Sequence, residues 1–282
     1  MSAKSILITG CSSGIGQRAA QRLKERGYRV FATARKVSDV QALKSQGFES
    51  FQVDVTDTAS MRQALDQILS ATGGKLDALF NNAAYLQAGA IEDLTREMDR
   101  AQFETNVFGP MELIRLVLPV MRQQGHGRII QNSSILGIIT LPYYGAYNAS
   151  KYALEGFSNT LRQELRGTGI HVSIINPGPI HSKLRANAYQ HYQQTEHERT
   201  GLHDKAYEKM EASYFNPSER DRKLTQSPDA VVKKLIHALE SSRPSAHYYV
   251  GFPAKLFAFL RRILPDSALD WVLAKFSFKE GE

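Results

Sequence analysis

The segment Thr9-Gly10-Cys11-Ser12-Ser13-Gly14-Ile15-Gly16 restricts what this chain can fold into more than any other stretch. It follows a predicted strand, Ser5–Thr9, and leads into a predicted helix from Gly14 to Arg26 that stops near Gly27. A strand that turns tightly into a helix needs glycines, because a Cβ disfavours the backbone angles involved. Free N–H groups and the positive dipole end at the helix start make such a turn a seat for phosphate. Gly10, Ser12, Ser13, Gly14, Ile15 and Gly16 are therefore the expected pyrophosphate contacts. The spacing is G-x-x-x-G-x-G, so its weight comes from the strand before it and the helix after it. An ordinary glycine-rich strand-to-helix turn is the alternative.

The rest of the chain alternates short β-rich runs with longer helical segments. Further strands are predicted at Arg29–Thr33, Ser50–Val53, Ala78–Asn81, Arg128–Asn132, His171–Ile175 and His247–Val250. Several are continuous apolar runs, as expected of strands buried on both faces. Helices are predicted from Asn106 to Gln124, from Gly145 to Arg166, and after Ser227-Pro228, a cap followed by a first-turn proline. This order implies an α/β fold with a parallel sheet covered by helices. The 282 residues are read as one domain with an insertion at 183–227 and an extension at 252–282.

The second strand ends in Ala32-Thr33-Ala34-Arg35-Lys36. An acidic side chain at this point in a dinucleotide fold would bond the ribose hydroxyls and favour NAD. Here Arg35 and Lys36 stand instead. A guanidinium fits a 2′-phosphate through two parallel bonds, so NADP(H) is the expected cofactor. A solvated basic pair is the alternative. Asp54, with Val55 beside it, follows the third strand; its carboxylate suits either the adenine amino group or the cap of the next helix.

Tyr147 and Lys151 lie four apart on one predicted helix and so share a face. Ser134 lies at the end of the preceding strand, at the sheet edge where ligands of open α/β sheets bind. Carbonyl reduction needs hydride at carbon and a proton at oxygen. A tyrosine, with a pKa of about 10, transfers protons poorly near neutrality. Lowering it by about three units takes about 4 kcal/mol, which one cation at about 4 Å supplies at an effective dielectric of about 20. Lys151 is that cation, and an oxidised nicotinamide adds a second. The Ser134 hydroxyl would bond the substrate oxygen. Taken alone, a Tyr–Lys pair at this spacing is more often structural, with the lysine stem snorkelling; its weight comes from standing with the glycine turn and Ser134.

With these motifs together the sequence resembles the short-chain dehydrogenase/reductase family, from about Ser5 to Ser182. TGCSSGIG matches the cofactor motif, and Asp54 the adenine contact. Asn81-Asn82-Ala83 matches the motif ending the fourth strand, and Asn106 the asparagine completing a proton relay with Ser134, Tyr147 and Lys151. Pro177-Gly178 matches the segment after the sixth strand, where Ile180 and Ser182 would approach the nicotinamide carboxamide. The usual glycine after Asn-Asn-Ala is Ala84 here, which can shift the loop, and the usual threonine after Pro-Gly is Ser182. The resemblance implies a Rossmann fold with a doubly wound parallel sheet of about seven strands, and carbonyl–alcohol interconversion. FATARK, YNASKYALEGF and NPGPI look most like retinol- and hydroxysteroid-dehydrogenase relatives and bacterial NADP-dependent aldehyde reductases. A lipophilic aldehyde, ketone or secondary alcohol follows as the expected substrate. Helix 106–124 and the catalytic helix resemble the family's dimer interface, so a homodimer is expected.

In the family, residues 183–227 would form a substrate lid, whose Tyr189, Tyr192, Tyr207, Tyr214 and Phe215 can line an apolar pocket. The tail carries two amphipathic stretches: Leu256, Phe257, Phe259, Leu260 and Ile263, then Leu269, Val272, Leu273 and Phe276. With Lys255, Arg261, Arg262 and Lys275 nearby they suit a membrane surface, but packing over the pocket or against a partner subunit is favoured. The net charge of +7 suits a phosphorylated small molecule, and no block of Lys and Arg reads as a nucleic-acid patch. Cys11, the one cysteine, excludes an internal disulfide. With no run near the roughly 20 apolar residues a span requires, a cytoplasmic location is expected. No metal is expected. An NAD-linked dehydrogenase and a non-catalytic cofactor-binding regulator are the competing readings.

Overall fold

The computed structural model describes residues 3–184, 186–189, 201–215 and 218–275. The chain begins with β1 (Ser5–Ile8), α1 (Gly14–Glu25), β2 (Arg29–Ala34), α2 (Val37–Ser45), β3 (Glu49–Gln52), α3 (Thr58–Thr72) and β4 (Ala78–Asn81). It continues through α4 (Arg96–Phe103), a π turn at Glu104–Phe108, α5 (Gly109–Gln124), β5 (Gly127–Asn132), α6 (Gly145–Glu164) and β6 (Ile170–Pro177). Then come α7 (Asp204–Phe215), α8 (Glu219–Leu224), α9 (Pro228–Glu240), β7 (His247–Val250), α10 (Phe252–Ile263) and α11 (Asp266–Ala274).

The strands pair in the order β3-β2-β1-β4-β5-β6-β7, and every pairing is parallel. This is the doubly wound arrangement that the alternation of elements implied. The apolar runs are continuous because successive side chains enter opposite layers. Ile6 and Ile8 of β1 join one core with Ala19 and Leu23 of α1 and Val231 and Leu235 of α9. Leu7 joins the other, with Leu65 and Ile68 of α3 and Leu113 and Val117 of α5. Fully burying one such side chain is worth about 1.5–3 kcal/mol, so these two layers hold the sheet.

Local signals set several element ends. Ser227 caps α9 through the Asp229 N–H, with Pro228 in the first turn, as the sequence predicts. Thr9 leaves β1 because its side-chain oxygen is taken by the Asn82 and Ala83 N–H groups, both at 2.9 Å. β6 runs two residues past Ile175 because β7 continues to pair with it, Pro177 opposite Val250. The helix expected to begin at Asn106 is instead one continuous rod from Arg96, with Asn106 inside the π turn.

A third core lies over the carboxyl edge of the sheet. There Tyr207 and Met210 of α7, Phe257 of α10, and Leu269 and Leu273 of α11 pack with Leu136, Ile139 and Tyr147. The tail stretches thus bury one face over the cleft, the packing favoured from sequence, while Phe252, Phe259, Ile263 and Trp271 face outward. Among the described residues no helix is long and apolar enough to cross a membrane. Tyr207 is not a pocket-lining side chain, as the sequence reading allowed. It is buried, its hydroxyl donating to Asp93 Oδ2 at 2.5 Å and accepting from the Ala90 N–H at 2.9 Å. Tyr192, Phe276 and the side chains of Tyr214 and Phe215 lie outside the described residues. Removing this buried hydroxyl with Tyr207→Phe is expected to cost about 2 kcal/mol. A lower urea midpoint at unchanged slope checks it.

Candidate active site

The strand order reverses between β1 and β4, so the connections leaving these neighbours go to opposite faces and a crevice opens at their carboxyl ends. Here it is a cleft of about 1540 Å³. That exceeds the roughly 300–1,000 Å³ of an ordinary small-molecule site, leaving room for a dinucleotide and a second molecule. Of the predicted contacts, Gly10, Ser12, Ser13, Gly14, Ile15, Arg35, Lys36, Asp54, Val55, Asn82, Ala83, Ser134, Tyr147, Lys151, Pro177, Gly178, Ile180 and Ser182 all line it. Gly16 and Asn106 stand behind the wall, supporting it.

The glycine turn is stripped of side chains for reasons visible in its packing. Gly10 and Gly14 adopt left-handed angles, φ +69° and +58°. A Cβ on Gly16 would sit 2.2 Å from the Gly10 carbonyl oxygen, and one on Gly10 would sit 2.9 Å from Ala83 Cα. Asn82 stitches this turn to the sheet. Its Nδ2 donates to the carbonyls of Thr9 at 2.9 Å and Gly10 at 3.1 Å, and its Oδ1 accepts from Asn132 Nδ2 at 2.9 Å. Ser13 precedes α1 without using its side chain as a cap, which leaves the helix N-terminus to an anion. Cys11, fully buried with its thiol pushed up to about 12 by that burial, is a packing residue.

Asp54 does not cap α3; Asp57 does, through the Ala59 N–H at 2.9 Å. Asp54 Oδ1 instead accepts from the N–H and hydroxyl of Thr56, at 3.0 and 2.8 Å. That settles the helix-cap alternative and leaves the carboxylate on the cleft wall. Arg35 and Lys36 are exposed at the cleft mouth. Among the described residues neither side chain has an ion-pair partner. Ser182 lies across the glycine turn, close enough that a Cβ on Gly14 would meet its Cβ at 3.2 Å.

Tyr147 and Lys151, one turn apart on α6, are both buried, as is Ser134. Lys151 Nζ donates to the Asn132 carbonyl at 2.9 Å and sits 5.6 Å from the Tyr147 ring centre. Ser134 heads a 3₁₀ turn, Ile135–Gly137, where its hydroxyl accepts from the Leu136 N–H at 3.1 Å. Asn106 is buried, but its amide does not touch these three. It brackets the backbone of Tyr85, at 3.1 and 3.0 Å, and donates to Ser150 Oγ at 3.1 Å. The π turn aims it there; such bulges gather at functional sites. Tyr143, with φ +66°, is the one non-glycine residue in the left-handed region among the described residues. The Gly89 N–H at 2.8 Å holds its carbonyl, and so holds the loop before α6.

The expected lowering of the Tyr147 pKa is not what the chain alone produces. Burial pushes the phenol up to about 12, and the Ser134 hydroxyl pulls weakly against it. Lys151 turns its ammonium to a carbonyl rather than to the phenol oxygen. It is itself pushed down to about 8 by burial, which the carboxylate of Glu155 opposes. Sequence reasoning passed over Asn132 and Glu155. The i, i+4 spacing that singled out Tyr147 and Lys151 continues to Glu155 and was the available signal.

Comparison with known proteins agrees with this geometry. Residues 4–193 match the family described as short chain dehydrogenase. The chain is 39% identical over 270 residues to the uncharacterized oxidoreductase YbbO of Escherichia coli strain K12, covering 96% of this chain and 94% of that one. It is 32% identical over 281 residues to 17-beta-hydroxysteroid dehydrogenase type 6 of Rattus norvegicus, covering 96% and 88%. A short-chain dehydrogenase from Streptomyces avermitilis superposes with a TM-score of 0.76 at 29% identity, over 98% of this chain and 95% of that one. The family match, the sheet order and the cleft together place the chain in the short-chain dehydrogenase/reductase family of NAD(P)-dependent oxidoreductases.

Proposed function

We propose that this protein is an NADP(H)-dependent reductase of a lipophilic aldehyde or ketone, with Tyr147 as its general acid. The observation that carries the reading is the buried Ser134–Tyr147–Lys151 cluster on the wall of a cleft whose mouth bears two cations, Arg35 and Lys36, with no ion-pair partner among the described residues. The 2′-phosphate is assigned to those two side chains, the pyrophosphate to the bare turn at Gly10–Gly16, and the adenine amino group to Asp54. Pro177, Gly178, Ile180 and Ser182 form the wall beside the nicotinamide. Bound there, the nicotinamide supplies hydride to a carbonyl carbon, or takes it from an alcohol carbon in reverse.

The protein's own part is proton and charge control. A phenol held at about 12 stays protonated across the neutral range, the form needed to give a proton to a carbonyl oxygen. Ser134 offers that oxygen a second hydrogen bond. Lys151 stabilises the phenolate left behind, provided it carries its charge. The apolar surface beyond, with Leu136 and Leu141 on the cleft wall, suits a lipophilic substrate, and the described residues Leu184, Asn187, Lys209, Ala212 and Asp221 of the 183–227 segment, on the same wall, are assigned to its lid within a single catalytic domain. Phe108 beside α5, and Tyr152 and Phe157 on α6, are exposed; these favour a homodimer through those helices. A single buried cysteine suits the cytoplasm.

The test is oxidation of NADPH, with NADH in parallel, against a panel of lipophilic carbonyls. Turnover with NADH alone would sink the cofactor assignment. Arg35→Asp is expected to lower kcat/KM for NADPH by about 30-fold or more, as loss of one partner of a charge pair costs about 2 kcal/mol or more, while sparing NADH. Tyr147→Phe is expected to lower kcat by about 10²–10⁴-fold without loosening cofactor binding, measured by nucleotide fluorescence. Because the folded-state Lys151 pKa is lowered to about 8, its cation is present below that pH and lost above it. Reduction should therefore decline as pH rises through about 8, read from the alkaline limb of a kcat/KM profile.

A further inference from the structure

Tyr147, Lys151 and Glu155 follow one another at four-residue intervals along α6, and all three are buried. The chemistry above uses only the first two. A carboxylate in such a place is costly unless it is matched by partners, so its surroundings carry information.

Asn176, on β6, donates from Nδ2 to Glu155 Oε1 at 2.6 Å and to the Ser134 carbonyl at 3.2 Å. A main-chain carbonyl can only accept, so this amide is oriented and its Oδ1 is an acceptor. His247, on the edge strand β7, places Nδ1 3.5 Å from Glu155 Oε2 and 3.4 Å from that Oδ1. Its Nε2 lies 3.1 Å from Asn159 Oδ1, which also accepts from Arg162 Nη2 at 3.2 Å. Arginine can only donate, so Asn159 is oriented as well. Both ring nitrogens of His247 thus face acceptors. A neutral imidazole beside an ionised carboxylate leaves one of them mismatched. A proton on His247 makes both ring nitrogens donors and leaves Glu155 ionised, and such a pair titrates as a unit.

His247 also lines a second cavity, of about 290 Å³, with Lys234, His237, Ser245, Tyr249 and Lys255. No residue is common to that cavity and the cofactor cleft. Space beside the carboxylate is kept by Gly137, where a Cβ would lie 3.2 Å from Glu155 Oε1.

Building on the assignment of Lys151 as the catalytic cation, we propose that Glu155 and His247 form a buried pair in which His247 carries the proton, so that the Glu155 carboxylate stays ionised and keeps Lys151 charged. Glu155 is a positioning residue in this scheme, acting through Lys151. Burial raises the Glu155 pKa and lowers that of His247, which brings the two together. Lys151 and Tyr152 face the carboxylate from α6. Arg162 of α6 and Arg262 of α10 oppose charge on His247. The neutral Ser133, just past the end of β5, and Asn176 of β6 complete the surroundings of the carboxylate.

Glu155→Gln keeps the shape and removes the charge. Its alkaline limb of kcat/KM should move down by about one pH unit, about a tenfold loss on that limb, with little change at pH values well below it. Glu155→Asp should restore most of the limb. A second readout needs no turnover: the titration of the Lys151 side chain by NMR in 15N-lysine-labelled, cofactor-free protein, assigned with Lys151→Met. Its midpoint should fall by about one unit in Glu155→Gln, and fall less in His247→Asn, which also serves if Glu155→Gln does not fold. An unmoved lysine midpoint overturns the pair. So does an equal loss of rate at every pH that Glu155→Asp fails to restore. A moved midpoint in a protein that turns over no carbonyl upholds the pair and overturns the proposed reaction instead.

Discussion

The reversal of strand order between β1 and β4 is the constraint on which everything else at this site depends. Connections that leave two neighbouring strands in opposite directions cannot close over the gap between them. The gap must be lined by whatever ends those strands, and here that is Thr9, the glycine turn and Asn82. Their hydrogen bonds satisfy main-chain groups that would otherwise stand unpaired at the sheet edge. Asn132 extends the same seam to β5, where its carbonyl then holds Lys151. The network that closes the sheet edge and the network that positions the lysine are one.

Burial governs the chemistry more than pairing does. Dehydration raises the phenol of Tyr147 and lowers the ammonium of Lys151. Each is moved toward its neutral form, as a medium that disfavours charge requires. A neutral tyrosine suits a proton donor, but a neutral lysine does not suit a cation. On the proposed reading the site needs a nearby negative charge that is not itself exposed, and Glu155 stands one turn along the same helix. The three residues solve opposite electrostatic problems on one helical stripe.

The third core explains how distant parts of the chain bear on that stripe. Tyr147 belongs to one buried cluster with Phe257, Leu269 and Leu273 from the tail and Tyr207 from the segment after β6. The Tyr207 hydroxyl then ties α7 to the loop at Ala90 and Asp93. The neighbouring Gly89 N–H holds Tyr143 in its left-handed turn just before α6. Strain at Tyr143 is thus held by contacts from elements far away in the chain, as local strain must be.

What could be read without a structure was local. Glycines at Gly10, Gly14 and Gly16 declare a turn because only local backbone angles are at stake. Tyr147 and Lys151 declare a shared face because 3.6 residues make a turn. Continuous apolar runs declare strands buried on both sides. The C-terminal stretches showed their periodicity but not what they cover. Asp54 was read as an adenine contact or a helix cap, and the structure gives the cap to Asp57 instead, because only backbone geometry chooses between carboxylates of the same chemistry. The Asn106 π turn, the anchor at Tyr207 and the meeting of Glu155 with His247 were decided by tertiary structure alone. Ala90 and Tyr207 bond across 117 residues, and no period or propensity encodes such a distance. The chain by itself determined which groups were available for chemistry. The packing of its layers determined which of them lost their water, and therefore which protons they hold.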